Sequence, residues 1–479
     1  MSRPGKRPYA YTTTAYTTTV SGEVHRPMTT CHATARRRDR RVYLFARPLL
    51  FALLGAGRGR PVRRLGRTVL VHGSEAYREA LTRLPLDRAA AGTTGGAARE
   101  ALRGDGGVLF DQEGGGHRAD RRALAERLGA AGVEELRAVW RPLLARELAP
   151  LARGGEVDVV ALARVLSGSV VCALLDVEAD ARELAGAAAE AAAASVRSHL
   201  PGPPRPGARA RAERSAARLR GLLGPGRGAL PAMVAVAAVN TAVAALPRAV
   251  AWCADAGLWG QAGDAATRPA LVDELLRVTA ASPVLPRVAA GAGTVGGCPV
   301  RGGDRLLLVA RHAVGAHRRD PDGRDPVAPG VARLVFGAGP HACPGARLAV
   351  VLLGDVLEAL APHRPVVARA RVDRRAALPG WRRLTVRPGT TPKPPARPHP
   401  GACAADAGTA AYGGPTAGHA ETGHGPAAGE CPADSAAGAA PARPHPATSA
   451  TSPPAAGHTK TGPAPAGACP AGGGVGGPA

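Results

Sequence analysis

A single cysteine lies in a glycine- and proline-rich stretch immediately before an apolar segment. The stretch reads LVFGAGPHACPGARLAV over residues 334–350, and its sulfur belongs to Cys343. Glycines let the backbone curl tightly enough to turn peptide N–H groups toward a sulfur. Those donors, with the positive end of a helix that begins near Gly345, would stabilise a thiolate. The stretch therefore predicts a thiolate metal ligand, the alternative being a small buried residue at an ordinary loop-to-helix turn.

The spacing within this stretch follows a pattern, F-G-x-G-x-H-x-C-x-G-x-x-L-A. It is filled by Phe336, Gly337, Gly339, His341, Cys343, Gly345, Leu348 and Ala349. The pattern closely resembles the haem-binding loop of the cytochrome P450 family. The resemblance implies that Cys343 is the metal ligand of haem b (iron protoporphyrin IX), with the loop residues around the cofactor. A thiolate behind the iron would favour O–O cleavage.

An E-x-x-R pair upstream extends the resemblance. In RPALVDELLRVTAASP, Glu274 and Arg277 are three residues apart and therefore share one helix face. Such a pair has little meaning alone, because exposed helices carry many. The resemblance implies a third member, Arg324 in DGRDP, and a role for the trio as a charged structural lock behind the haem.

Haem carries two propionates, which require guanidinium or imidazole donors. The segment GGGHRADRRAL sets His117 and Arg121 four residues apart, on one helical face, and resembles the H-x-x-x-R of the same family. The resemblance adds Arg287 and His341 as further cofactor-binding residues. Each alone has an alternative interpretation as a solvated surface charge.

The segment AAVNTA, residues 237–242, departs from the family, whose central helix carries an acid followed by an alcohol that relay protons. Thr241 keeps the alcohol, but Asn240 replaces the acid and cannot donate a proton as a carboxylic acid would. Asn240 can still orient water. The two residues are the candidate catalytic pair, and the alternative for Thr241 is a hydrogen bond back to its own helix.

Helical patterns dominate from about residue 60 to 385, with short strand-like segments at 67–73 and 304–311. We therefore expect a mainly α fold with small β-sheets, similar to the cytochrome P450 fold. The chain is predicted to consist of a loose N-terminal arm at 1–40, one large haem domain at 41–388 and a tail at 389–479. The tail is rich in Pro, Ala and Gly, has almost no large apolar side chains, and is predicted to be disordered.

Composition limits the class of protein. The net charge is +25, but only 3% of residues are aromatic and no nucleic-acid-binding motif accompanies the charge, so no nucleic-acid partner is predicted. The eight cysteines form no C-x-x-C pair, which favours a reduced, cytoplasmic setting. The uncharged run at 49–57 is too short to span a bilayer. We predict no integral membrane anchor, and weak peripheral attachment stays open.

The leading functional hypothesis is a haem-thiolate monooxygenase. It would insert one oxygen atom of O2 into a small hydrophobic substrate, with electrons from a ferredoxin or flavodoxin-type partner. One alternative is a peroxide-driven oxygenase, for which the missing acid matters less. Another is a non-catalytic haem-binding relative or sensor.

Overall fold

The computed structural model describes residues 28–102, 114–199 and 206–389. These residues all belong to one compact unit, Met1–Arg397. The predicted tail, beyond its first residue, and residues 1–27 of the predicted arm lie outside the described ranges.

Helices make up most of the described chain. They are α1 Met28–Ala46, α2 Pro48–Gly57, α3 Ser74–Thr82, α4 Thr94–Leu102, α5 Gly114–Arg127, α6 Ala130–Ala152, α7 Val159–Leu175, α8 Ala181–His199, α9 Ala208–Leu223, α10 Ala229–Ala256, α11 Trp259–Gly263, α12 Arg268–Thr279, α13 Ala310–Ala313, α14 Pro329–Ala332 and α15 Ala346–Leu360. Short 3₁₀ turns occupy Arg333–Phe336, Gly339–His341 and Ala361–His363.

The strands are short. They are β1 Val62–Leu65, β2 Thr68–Val71, β3 Leu86–Asp87, β4 Val157–Asp158, β5 Leu285–Ala289, β6 Gly293–Val295, β7 Cys298–Val300, β8 Arg305–Leu308, β9 Val366–Val372 and β10 Trp381–Arg387. They form a five-stranded sheet in the order β1-β2-β8-β5-β3, a three-stranded sheet β4-β10-β9 and the hairpin β6-β7. Within the five-stranded sheet, β2 runs parallel to β8 and the other pairs are antiparallel. The expected mainly α fold with small β-sheets is confirmed.

The central helix α10 organises the largest of the three hydrophobic core clusters in the described residues. It packs against α1, α7, α8 and α12. Within the described ranges it is the helix whose length and apolar composition would allow it to cross a membrane, and half of the relevant window is buried by the protein itself. Core packing therefore accounts for its apolar sequence. A second core lies between α3 and the five-stranded sheet and includes the fully buried Tyr77.

Helix α1 corrects the predicted loose arm of residues 1–40. From Met28 onward the chain is helical, and Ala35, Asp39, Val42 and Tyr43 recur at helical spacing and are buried. The Asp39 carboxylate accepts hydrogen bonds from Arg248 at 2.6 Å. The Tyr43 hydroxyl donates to the Thr279 carbonyl at 2.7 Å. The arginine-rich composition concealed this packing, because the few inward positions are separated by exposed arginines.

Candidate active site

The Cys343 loop connects the 3₁₀ turn at Gly339–His341 to helix α15. The Cys343 amide donates to the Phe336 carbonyl at 2.7 Å, which closes the loop on itself. Gly337 and Gly339 have φ of +78° and +72°, a region that disfavours other residues. A Cβ on Gly339 would also lie 3.2 Å from the Leu81 carbonyl oxygen. These glycines therefore shape the loop, as the sequence pattern predicts.

Cys343 has solvent-exposed surface and is at the same time closely surrounded by protein atoms. This burial raises the pKa of its thiol. The Gly345 N–H and the Arg121 charge act the other way and lower the pKa. An accessible sulfur with one fixed N–H donor fits a metal ligand, since a bound metal removes the thiol proton.

Four predicted propionate donors come together beside this loop. The His117 ring is buried and stacks on the His341 ring with centroids 4.1 Å apart. Arg121 donates to the Ala342 carbonyl at 2.8 Å. Burial, followed by the positive charges of Arg88, His117, Arg121 and Arg287, lowers the pKa of His341 to about 3. The other three predicted residues thus lie within electrostatic reach of His341.

Arg88 is a member of this cluster that the sequence analysis missed. It follows β3 and lowers the pKa of His341 more strongly than any other charge acting on that ring. No motif surrounds it, and an isolated arginine gives no signal in an arginine-rich chain. Arg88 could have been identified if the fold had been used to predict that β3 borders the site.

The charge of the cluster tests whether it fits haem. Burial lowers the pKa of Arg287, and every charge that acts on His341 lowers its pKa. A proton on the His341 imidazole is disfavoured by these guanidinium groups, and a bound anion would offset their positive charge. The two carboxylates of haem, beside the Cys343 sulfur, have the chemistry that this donor set requires. The residues present therefore fit the cofactor.

The predicted E-x-x-R pair forms a fully buried ion pair. Arg277 Nε and Nη2 donate to the two Glu274 oxygens at 2.9 and 2.6 Å. Arg277 also donates to the Arg319 carbonyl at 3.0 Å, and Glu274 accepts from the Val327 amide at 3.1 Å. The pair therefore ties α12 to the segment that leads to the Cys343 loop.

The structure does not bring Arg324 to this pair. Arg324 is exposed, its backbone amide donates to Asp322, and its charge acts on Asp264. In the described part of the chain, Arg319 is the nearby arginine whose charge interacts with Glu274. Its side chain bonds to Asp325, so the pair is completed largely by backbone groups.

The candidate catalytic pair lies in the middle of the core helix α10, where its residues become half-exposed. Residues 236–243 are half-exposed apart from Val239, whereas 232–235 and 244–253 are buried. Thr241 Oγ1 donates to the Ala237 carbonyl at 2.8 Å. Asn240 Nδ2 donates to the Val236 carbonyl at 2.8 Å and to the Ala188 carbonyl of α8 at 3.3 Å. Both polar groups thus bond to backbone carbonyls.

Comparison with known proteins adds the fold class. No family model and no curated protein matches the sequence. The crystal structure of P450BioI with a fatty-acid-ligated acyl carrier protein aligns with a TM-score of 0.59 and 17% identity over 72% of this chain and 99% of that one. CYP108D1 from Novosphingobium aromaticivorans aligns with a TM-score of 0.54 and 20% identity over 74% and 98%. The P450 haem domain of Tepidiphilus thermophilus gives 0.53 and 20% over 72% and 94%.

The chain therefore has the cytochrome P450 fold. This confirms, at the level of fold, the resemblance that the cysteine loop indicated. The roles of the individual site residues remain predictions.

Proposed function

We propose that the protein binds haem b through the Cys343 thiolate and is a haem-thiolate monooxygenase. One observation carries the proposal: the solvent-accessible Cys343 lies beside a cluster of imidazole and guanidinium groups. The sulfur is suited to hold iron, and the cluster is suited to hold two propionates. The cytochrome P450 fold supports the same conclusion.

In this proposal each residue of the cluster has a defined task. Cys343 holds the metal, and the Gly345 N–H stabilises negative charge on its sulfur. His117, Arg121, Arg287 and His341 bind the propionates, and the stacked imidazoles fix each other's orientation. When bound, haem supplies the iron that activates oxygen for insertion into a substrate C–H or C=C bond.

The half-exposed middle of α10 supports the proposal that the substrate is small and hydrophobic. Its half-exposed residues include Ala237, Ala238, Ala242 and Val243, which offer an apolar surface beside Asn240 and Thr241. The Thr241 hydroxyl can serve as a proton donor only after it releases the Ala237 carbonyl. Asn240 would orient water or hold the helix, because its amide has no proton of useful acidity.

Electron delivery is proposed to involve an acidic ferredoxin or flavodoxin-type protein in the cytoplasm. Arg118 and Arg122 on α5 and Arg347 on α15 are exposed on the two helices that flank the Cys343 loop. A basic surface close to the metal ligand would steer an acidic partner.

A peroxide-driven oxygenase is the second candidate. The observation that favours it is the engagement of Asn240 and Thr241 with backbone carbonyls, in place of an acid–alcohol pair. With peroxide as oxidant, both the oxygen atoms and the electrons arrive together, so proton delivery from α10 matters less.

The first test is the carbon monoxide difference spectrum of the reduced holoprotein and of Cys343→Ser. A strongly red-shifted Soret band that Cys343→Ser abolishes is expected. The matched control is Cys298→Ser on β7, outside the Cys343 loop, which should leave the band unchanged. Absence of bound haem, or a band indifferent to Cys343→Ser, would contradict the proposal.

A second experiment separates the candidates. Turnover of a small hydrophobic test substrate is measured with a reductant and a ferredoxin under O2, and separately with peroxide. Product with the reductant supports the monooxygenase. Product with peroxide alone supports the second candidate. Haem binding without product in either assay would indicate the non-catalytic relative.

A further inference from the structure

Helix α2, with the sequence PLLFALLGAG, is apolar around its circumference but covered on one side only. Its inner side contributes Leu50, Phe51 and Leu54, which pack with Leu70 of β2 and Val309. On its outer side Leu49 and Leu53 have 81% and 70% of their surfaces exposed. They are four residues apart and therefore form one ridge. A helix that is apolar on all sides is normally covered on all sides.

The end of α1, next to α2 in the chain, also carries exposed apolar side chains. Leu44 and Phe45 have 45% and 46% of their surfaces exposed. Together with Arg41, Pro48 and Arg374 they line a hollow of about 500 Å³. The Arg374 guanidinium lies over the Phe45 ring, 5.2 Å from its centre. We call the surface formed by Leu44, Phe45, Leu49 and Leu53 the N-terminal apolar face.

The segment that carries the N-terminal apolar face is rich in arginine, and two of its arginines, Arg36 and Arg38, pair with Asp320 and Asp255 of other elements. Residues 28–73 contain eleven arginines and a single acidic residue, Asp39. Asp39 is buried and held by Arg248 and Arg311, so it offers no negative charge at the surface. Arg37, Arg40 and Arg41 are exposed on the turns of α1 just before the face. A partner must therefore combine an apolar interior with negative charge at its boundary.

The chain itself and a second copy are poor occupants. Residues 1–27 carry one acidic residue, Glu23, among four basic ones, and residues 390–479 carry as many basic as acidic residues and few large apolar ones. A second copy of the chain would bring arginines against arginines. An anionic bilayer provides acyl chains for the leucines and headgroups for the arginines.

We propose that the N-terminal apolar face binds peripherally to the surface of anionic lipid membranes. Leu44, Phe45, Leu49 and Leu53 enter the boundary between headgroups and acyl chains. The exposed arginines of α1 lie at the level of the headgroups, with their aliphatic stems along the apolar face. This inference is independent of the proposed chemistry, because it uses no residue of the Cys343 loop or of the propionate-binding cluster.

The test is flotation of the full-length protein with vesicles of phosphatidylcholine mixed with phosphatidylglycerol, compared with pure phosphatidylcholine. Binding is expected to the anionic vesicles and to fall steeply with added salt, because screening weakens headgroup attraction. Leu49→Ser with Leu53→Ser should weaken partitioning at least about tenfold, since each leucine loses most of its transfer free energy. Arg37→Gln with Arg40→Gln and Arg41→Gln should remove the preference for anionic lipid.

The matched control is Val139→Ser, an exposed apolar residue on α6 that lies outside the face. It should bind vesicles as the wild type does. Circular dichroism and thermal unfolding establish that each variant is folded. No binding to anionic vesicles, or binding that the leucine and arginine variants leave unchanged, would overturn the proposal. A wild-type dimer that Leu49→Ser with Leu53→Ser converts to a monomer would assign the face to a second copy instead.

Discussion

At the scale of single residues, two glycines of the Cys343 loop differ in whether they can accept a side chain. Gly337 has a φ of +78° but open space around it, the nearest atom to an added Cβ being 3.9 Å away. Gly345 has a φ of −85°, and an added Cβ would lie 3.9 Å from the Cys343 sulfur. A methyl group is therefore strained by backbone conformation at Gly337 and is tolerated at Gly345.

We expect Gly337→Ala to destabilise the loop by about 1–2 kcal/mol, the cost of left-handed backbone for a residue with a Cβ. Haem retention, followed by the Soret absorbance during dilution, should fall with it. Gly345→Ala is the matched control and should retain haem and thermal stability. Equal losses in both variants would show that crowding near the sulfur, and not φ, governs the loop.

The Arg121 guanidinium joins helix α5 to the carbonyl that immediately precedes Cys343. We expect Arg121→Ala to weaken haem binding roughly 10–100-fold, as for removal of a supporting partner of a metal ligand. Arg118→Ala, an exposed arginine on the same helix, is the control and should leave binding unchanged. Haem transfer to an excess of apomyoglobin measures both. Equal transfer rates for Arg121→Ala and the wild type would remove Arg121 from the binding set.

At the scale of elements, α10 carries both the packing of the core and the candidate catalytic residues. Its half-exposed middle is flanked by buried turns, so a change there alters the site with little effect on the core. The hydroxyls of Thr241 on α10 and Thr279 on α12 make the same bond to the carbonyl four residues earlier, each at 2.8 Å. They form a natural pair for comparison.

We expect Thr241→Val to lower product formation with reductant and O2 by about tenfold or more, the scale of a lost proton-transfer group. Peroxide-driven product should not change. Thr279→Val removes an equivalent bond on α12, outside the candidate catalytic pair, and should affect neither assay. If Thr241→Val leaves both assays unchanged, its hydroxyl serves only the helix, as its bond to Ala237 allows.

Helix α1 is attached to the core through buried charge. Asp39 lies between Arg248 and Arg311, at 2.6 and 3.1 Å. Asp39→Asn leaves two guanidinium groups without their carboxylate and should lower the free energy of unfolding by about 3–5 kcal/mol. Glu75→Gln, which breaks the exposed Arg78 pair, should cost below about 1 kcal/mol. Urea unfolding measures both, and comparable costs would contradict the role assigned to burial.

At the scale of the whole molecule, a cluster of imidazoles links stability to pH. His72 and His312 lie 2.8 Å apart through their Nδ1 atoms, and the His317 ring lies against His312. Burial, followed by the charges of His72, His317, Arg311 and Arg58, lowers the pKa of His312 to about 3. Burial is also the largest cause that lowers the pKa of His72 and brings that of His317 to about 4.

A histidine whose pKa is lowered by folding stays neutral while the unfolded chain takes up its proton. The stabilising contribution of each neutral imidazole to the free energy of unfolding is therefore fully present above the unfolded pKa of about 6.5. It is lost as pH falls toward about 4. We expect the free energy of unfolding to fall over this window, by up to about 1.4 kcal/mol per pH unit for each fully neutral imidazole and less for the half-exposed His317. His312→Gln should flatten the slope. An unchanged slope in this variant would contradict the linkage.

The sequence alone determined the local chemistry of this protein. The Cys343 loop, the Glu274–Arg277 pair and the His117–Arg121 pair are each encoded within a few neighbouring residues, where side-chain type and helical or loop spacing suffice. The mainly α fold followed from the same local periodicity. Those features are set by short-range geometry, which a single sequence carries.

The tertiary structure decided what depends on distant segments meeting. It added Arg88 to the cationic cluster, left Arg324 at the surface, and joined Asn240 to the Ala188 carbonyl of another helix. It also buried Asp39 in α1, where composition predicts a loose arm. These positions depend on packing between remote elements, and the buried Asp39 shows the reason most clearly: its desolvation must be offset by whichever groups packing brings within reach, here Arg248 and Arg311.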